Sequence, residues 1–343
     1  MKGNDCHMSE EENKNVQFTK EQLHAADYAS VLDYAKARGI GLKRTGNNSY
    51  NGVEHDSLVI DPAKNGWFWN SRGLHGRGAL SFAKEYELYG SNLSKGEIFR
   101  TAVTRVLKAN VGAVKYEAPK REPFKYNKAM FSKDVDKAAD YLINVRKISP
   151  ETVSKMIKNG AIKQDLDGNC VFLWTDLNQK VRGMTIQGTT IDYQKYGKRG
   201  TLKKIAKNSE HGYGFCFIDT TTDDKPINLR FFESPIDAIS YYDLSKRMGK
   251  PLINTAYISM DGLKDEVFNS YVLTFYKTGI KIGSIALGVD NDEAGQNFYK
   301  KIHGRFSKVE YAKVNKKFGK DWNDMLKCYV KLQEQKSKDK SAK

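Results

Sequence analysis

From Asn228 to Leu332 the hydrophobic positions fall into two alternating kinds of run. Short apolar stretches, NLRFFE, LINTAYI, KIGSIALGVD and KVEYAKV, have the length and the β-branched or aromatic content of buried strands. Between and after them lie PIDAISYYDLSKRMG, LKDEVFNSYVLTFYKTG, EAGQNFYKKIHGRF and WNDMLKCYVKL, whose apolar residues recur at helical spacing. Strand and helix in turn predict a parallel sheet, because parallel neighbours need a long crossover and a right-handed helical crossover packs back onto the sheet.

Upstream the pattern is less regular. Leu23, Ala26, Val31, Leu32, Tyr34 and Ala35 recur at helical spacing between Lys20 and Arg38, with Gly39 as a stop, and predict one helix. The pieces SYNGV, HDSLVI and GWFWN, punctuated by Gly, Asn and Pro, predict a small antiparallel sheet, followed by helices over ALSFAKEYEL and KGEIFRTAVTRVLKA. VGAVKYEAPKREPFKY has two prolines, several charges and no period, as a linker does. Then come the helical VDKAADYLINVR and SPETVSKMIKNG, the second with Ser149 as cap and Pro150 in its first turn, and an expected hairpin of CVFLWTD and KVRGMTIQG. The expected division is a disordered tail over 1–19, an N-terminal domain over 20–111, a linker over 112–130, a basic α+β domain over 131–227, the α/β domain over 228–327 and a lysine-rich tail over 328–343. The fold class is α/β with α+β parts.

Composition sharpens this picture. A hydrophobic content of 39% with 19 Tyr and 16 Phe is that of a folded protein of more than one compact unit. Fifty-seven Lys and Arg against 41 Asp and Glu leave a net charge of +16, which favours a polyanionic partner, nucleic acid before a membrane surface. Cys6, Cys170, Cys216 and Cys328 show neither a disulfide framework nor zinc-knuckle spacing, so a reducing, cytoplasmic setting is expected. No apolar run approaches the ~20 residues of a membrane span, and the first residues lack the apolar core of a signal peptide.

The candidate chemistry lies at the ends of the strands. In an open parallel sheet the usable crevice is beyond the carboxyl ends of the strands. Glu233 ends the first apolar run of the α/β segment, Asp290 and Asp292 end the third, and Asp321 and Asp324 follow the last in GKDWNDML. Taken singly, Glu233 reads equally as an N-terminal helix charge, and Asp290, Asp292 and Asp324 as turn, cap or first-turn residues. Taken together, carboxylates meeting at one edge would repel each other unless a divalent cation neutralised them, and Mg2+ takes such oxygen ligands.

These residues carry a family resemblance. The segment from about Asn228 to Leu326 resembles a Toprim domain, the metal-binding α/β module of bacterial-type primases, topoisomerases and certain nucleases. The matching motifs are the Glu in FFESPIDA and the Asp-x-Asp in VDNDEAG, and the spellings ESPIDAISYY and DWND are similar to those of plasmids, conjugative elements and phages. The resemblance implies metal ligation by Glu233, Asp237, Asp290, Asp292, Asp321 and Asp324, with Glu233, Asp290 and Asp292 catalytic and Mg2+ or Mn2+ as cofactor. LINVRKISPETVSKMIKNGAI with CVFLWTDLNQKVRGMTIQG is similar to the uncharacterised domain that precedes Toprim in those proteins. HDSLVIDPAKNGWFWNSRGLHGRGALSFAKEY resembles the zinc ribbon of bacterial primases, but the ligand cysteines are absent, leaving His55, Trp69, Ser71 and His75. A closed zinc site needs four good N or S ligands, so the ribbon shape is expected without zinc.

Basic residues complete the expectation. Lys198 to Lys207, KRGTLKKIAK, holds Lys198, Arg199, Lys203, Lys204 and Lys207 and no acid, either as a solvated helix face or as a hold for template phosphates or a triphosphate. Arg182 corresponds, by resemblance, to a basic residue of the primase core that faces the metals, and Lys320 lies beside the acidic loop. Trp67, Phe68 and Trp69 suit either stacking on bases or a small core. The implied function is a DNA primase-like nucleotidyltransferase using single-stranded DNA and nucleoside triphosphates, with a helicase or replication initiator of the same element as a further partner and no membrane. The rivals are a Toprim nuclease and a non-catalytic accessory protein that binds single-stranded DNA. A topoisomerase is disfavoured for lack of room for a gate. The short stretch after Leu326 leaves no room for a helicase-docking domain, so any helicase contact is expected elsewhere.

Overall fold

Capping and the apolar periods account for most of the elements seen in the computed structural model, which describes residues 17–46, 48–114, 122–197, 200–220, 225–250 and 253–341. The chain divides into two compact units, Met1–Lys120 and Arg121–Lys343. The expected tail lies outside the described residues through position 16, but Thr19 already caps the first helix and Phe18 packs on the first core.

In the first unit, α1 (Lys20–Tyr28) and α2 (Val31–Ala37) replace the single helix expected over 20–38. Ala29 turns extended to bridge Ala113, the Ser30 N–H donates to the Gly112 carbonyl at 2.9 Å, and the Ser30 hydroxyl caps α2. That pairing partner is more than 80 residues away in sequence, beyond the reach of a periodicity argument. The sheet is an antiparallel meander of β1 (Leu42–Gly46), β2 (Ser49–Gly52), β3 (Leu58–Asp61), β4 (Gly66–Trp69) and β5 (Leu74–Arg77). It is followed by α3 (Gly78–Phe82), which widens into a π-turn through Glu87, and by α4 (Lys95–Ala109) with a Ser94/Glu97 capping box. Strand alternation divides the aromatic run: Trp67 and Trp69 are core, whereas Phe68 is 43% exposed. His55 stacks on Trp69, and His75 stacks on Phe68, so the two histidines address opposite faces of β4, while the Ser71 hydroxyl pairs with that of Ser57.

The second unit opens with α5 (Asp136–Asp140), which widens into a π-turn ending at Val145, and with α6 (Pro150–Lys158). A four-stranded antiparallel sheet follows, ordered β6 (Ile162–Gln164), β7 (Cys170–Thr175), β8 (Val181–Gln187), β9 (Lys203–Ile205), with the short α7 (Tyr193–Tyr196) between the last two. The second half of the expected linker is not free: Phe124, Tyr126 and Met130 pack on Val171, Leu173, Met184 and Ile186, one face of this sheet.

Next come β10 (Cys216–Asp219), β11 (Ile227–Phe232), α8 (Pro235–Arg247), β12 (Thr255–Ser259), α9 (Asp265–Lys277), β13 (Ile282–Gly288), α10 (Glu293–His303), β14 (Val309–Tyr311) and α11 (Trp322–Ser341). Their sheet is ordered β10-β12-β11-β13-β14, parallel except for β10, which pairs antiparallel with β12 and was not expected from the pattern. The chain leaves β11 on one side to form β12 and returns on the other to form β13, so the strand order reverses at β11 and β13. The stretch after Leu326, expected as a tail, continues α11 to Ser341.

Candidate functional site

The reversal point places two acids side by side. Phe232 of β11 lies opposite Gly288 of β13 in the parallel register, so the next residues of both strands emerge at the same edge. There the Asp290 N–H donates to Glu233 Oε1 at 2.9 Å. Ser234 caps α8, accepting from the Asp237 N–H at 3.2 Å and donating to Asp237 Oδ2 at 2.5 Å. Asp237 is buried, and its other oxygen accepts the Asn323 N–H at the start of α11, at 3.3 Å. Asp292 caps α10 with Oδ1, accepting from the Gly295 N–H at 2.9 Å. Gly295 is required there: a Cβ would stand 2.1 Å from the Asp290 carbonyl oxygen.

The electrostatics follow from this crowding. Burial, then the charge of Asp290, pushes Glu233 up to about 8. Burial, then Asp321, likewise raises Asp237, and burial raises Asp290. Asp292 goes the other way: burial acts to raise it, but the Gly295 N–H and Lys320 hold it below the usual carboxylate range. The Lys320 ammonium bridges Asp290 Oδ2 at 3.0 Å and Asp292 Oδ2 at 3.1 Å, a monovalent cation where the two carboxylates converge. Burial acts to lower Lys320, and these two contacts raise it.

Glu233, Asp237, Asp290 and Asp321 line one cleft of about 290 Å³. Among the described residues, no three acidic, histidine or cysteine side chains are drawn together as a closed ligand set, so the acids stand as neighbours along an edge. Asp292 and Asp324 are not part of the cleft lining; the Asp324 carboxylate accepts the Lys320 N–H at 3.3 Å and abuts Gly319.

The basic candidates separate. Lys203 lines the cleft, paired on β9 with Gln187, another lining residue. Lys204 pairs with Ile186, whose side chain belongs to the opposite, apolar face, and Lys207 is exposed beyond β9. Lys198 and Arg199 lie outside the described residues. Arg182 is not in the cleft lining: it is held by Asp176 at 2.8 Å and Glu210 at 3.2 Å, with its guanidinium over Tyr213. Among the described residues, the arginine that lines the cleft is Arg146, which the sequence pattern did not single out. It donates to the Tyr141 hydroxyl at 2.8 Å and to Asn323 Oδ1 at 3.2 Å, and Asn323 in turn donates to the Arg146 carbonyl at 2.8 Å. The only sequence signal was its place just before the Ser-Pro start of α6.

The chain carries a Toprim-like domain: residues 231–326 match the Toprim-like family model, and residues 140–221 match the model described as a protein of unknown function, DUF3991. The chain belongs to the family of the uncharacterised protein pXO2-78 of Bacillus anthracis, a plasmid protein to which it is 36% identical over 355 aligned residues covering 97% of each chain. Among solved structures it is similar to the primase fragment of the bacteriophage T7 primase-helicase protein, with a TM-score of 0.40 and 14% identity over 83% of this chain and 93% of that one. It is also similar to the DnaG primase catalytic domain bound to single-stranded DNA, with a TM-score of 0.34 and 11% identity over 58% and 72% of the two chains.

Proposed function

We propose that this protein is a primase-like nucleotidyltransferase that synthesises primers on a single-stranded DNA template from nucleoside triphosphates by a divalent-metal-dependent mechanism. The observation that carries this reading is the cleft itself, which Glu233, Asp237, Asp290 and Asp321 line together with Arg146 and Lys203. Acids alone would repel a polyphosphate, and cations alone would bind it without chemistry. Both in one cleft suit a metal-nucleotide complex, since Mg2+ is normally held by one or two carboxylates together with substrate phosphates.

The residues fit such an ion. Their donors are hard oxygens, and the seat between Asp290 and Asp292 already accepts a cation, the Lys320 ammonium. Asp290 and Asp292 would hold Mg2+ or Mn2+, with Glu233, Asp237 and Asp321 supporting. The ion would neutralise phosphate charge and favour the ionised form of the attacking hydroxyl. Arg146, steadied by Tyr141 and Asn323, offers a planar fork for phosphate oxygens, and Lys203 a point charge. Glu233 would exchange a proton near the acidic edge, since burial and the charge of Asp290 raise its proton affinity toward neutral pH. Positioning and charge neutralisation supply most of the rate in phosphoryl transfer.

The test is primer synthesis on single-stranded DNA with Mg2+ or Mn2+, comparing wild type with Asp290→Ala. New labelled strands made by wild type and lost at least a hundredfold in the variant are expected, in line with the loss of a residue that stabilises developing charge. Strands that persist in the variant would reject the site. Template cut without synthesis would favour a nuclease, and binding with neither reaction an accessory role.

A further inference from the structure

Asn323 joins two stretches of chain 177 residues apart, and the sequence showed it only as part of the DWND spelling. It is buried at the start of α11, and every polar group of its side chain is used. Oδ1 accepts from Arg146 Nη1 at 3.2 Å, while Nδ2 donates to the Arg146 carbonyl at 2.8 Å and to the Ser240 hydroxyl at 2.9 Å. One amide thus grips Arg146 by backbone and side chain together, which needs an acceptor and donors on the same planar group. Through its backbone N–H the same residue holds Asp237 Oδ1 at 3.3 Å. It is the joint between an acid and the arginine that both line the cleft.

Arg146 itself sits in a constrained segment. The π-turn that continues α5 ends just before it, with the Arg146 N–H donating to the Tyr141 carbonyl at 3.0 Å, and Lys147 follows at φ 62°. A left-handed lysine persists where its surroundings over-determine it. Here Arg247 of α8 donates to the Lys147 carbonyl at 3.5 Å, and the Ser149 N–H donates to Asp243 Oδ2 at 3.1 Å.

The partners of the guanidinium are uncharged. Nε donates to the Tyr141 hydroxyl at 2.8 Å, the guanidinium carbon lies 5.2 Å from the centroid of that ring, and Nη1 donates to Asn323. Among the described residues Arg146 makes no ion pair, and its Nη2 has no acceptor. Arg182 and Lys320 differ, each being held by two carboxylates. A phosphate must compete with carboxylates for a cation so held, whereas a cation ordered by a hydroxyl and an amide keeps its attraction for an anion.

We propose that Asn323 is a positioning residue: it fixes the Arg146 guanidinium in the acidic cleft through uncharged groups, so that the full positive charge remains for the phosphate oxygens of an incoming nucleotide. Arg146 is the group that touches ligand. The identity of that ligand rests on the nucleotidyltransferase reading.

The test measures the affinity of the full chain for inorganic tripolyphosphate in excess Mg2+ by calorimetry. Arg146→Met should weaken binding at least about tenfold, as expected for lost charge-assisted hydrogen bonds. Asn323→Asp keeps the shape but gives the guanidinium a carboxylate partner, and it should also weaken binding about tenfold, although a carboxylate holds an arginine more firmly than an amide does. In the Arg146→Met background Asn323→Asp should change the affinity by no more than about twofold, because its effect acts through the missing guanidinium. Tyr141→Phe removes the other anchor and keeps the ring, and gives a second cycle that stands even if Asn323→Asp does not fold: about threefold weaker binding, again absent in the Arg146→Met background. Losses that multiply in either double variant, wild-type affinity in Asn323→Asp or Tyr141→Phe, or no binding by wild type would each overturn the proposal. Coupled losses without primer synthesis by wild type would keep this inference and remove the primase reading; primer synthesis with losses that multiply would do the reverse.

Discussion

Asp292 serves two neighbours at once, capping α10 with one oxygen and holding Lys320 with the other. Of the two readings open in sequence, the helix cap is seen, and the second oxygen is engaged by an ammonium. Glu233 shows the opposite case, a carboxyl with little to stabilise its charge. Its proton affinity is raised to about 8, from an unfolded value of roughly 4.3. Between those values the folded state keeps a proton that the unfolded chain has released, so stability is greatest below the lower value and is lost as pH rises through the higher. In EDTA the melting temperature should fall between about pH 5 and 8, and Glu233→Gln should flatten that slope. If wild type and variant show the same slope, the crowding described at this edge is wrong. The basic residues were only partly legible at this scale. Five cations within ten residues gave no means of choosing among them, whereas the period-2 geometry of β9 sends Lys203 to the cleft and Lys204 to the other face.

At the scale of elements, α11 is two segments joined end to end. Its first half is anchored: Leu326 is fully buried, Met325, Tyr329 and Val330 pack on the largest core, and the Tyr329 hydroxyl donates to the Arg247 carbonyl at 3.1 Å. Residues 331–339 are exposed throughout. Removing residues 334–343 should shift the melting temperature by no more than about 2 °C, as expected for surface changes. Ending the chain after Lys327, which strips Tyr329 and Val330, should lower it by roughly 4–8 °C through lost apolar burial. Thermal melts of the two truncations check this, and equal losses would show that the outer half is held by contacts of its own. Lysine-rich composition suggested a tail because it lacks an apolar stripe, but Lys, Gln and Glu are good helix formers and an anchored first half supplies the nucleus.

At the scale of the molecule, the antiparallel sheet of 162–205 and the Toprim-like sheet are not separate bodies. One core holds Leu142, Val153 and Phe172 together with Phe232, Tyr242, Tyr257 and Trp322. A fragment of residues 121–343 should therefore fold cooperatively alone, because its cores are internal to it. A fragment starting at Asn228 should remain molten, with dispersed-probe binding and no sharp melt, because half of that core is missing. Calorimetry of the two fragments decides, and a sharp transition in the shorter one would show the cores to be independent.

Sequence by itself determined the alternating strands and helices of 228–327, the acids at the ends of those strands and their Toprim-like spelling. Those features follow from local period and from residue type, which a linear pattern contains. Only the tertiary structure decided that Glu233 meets Asp290, since that depends on the strand order reversing at β11 and β13. It alone withdrew Arg182 to Asp176 and Glu210 and brought Arg146 forward. Each of those outcomes depends on charges far apart in the chain competing for the same partners, and the winner is set by distance and burial in the folded state.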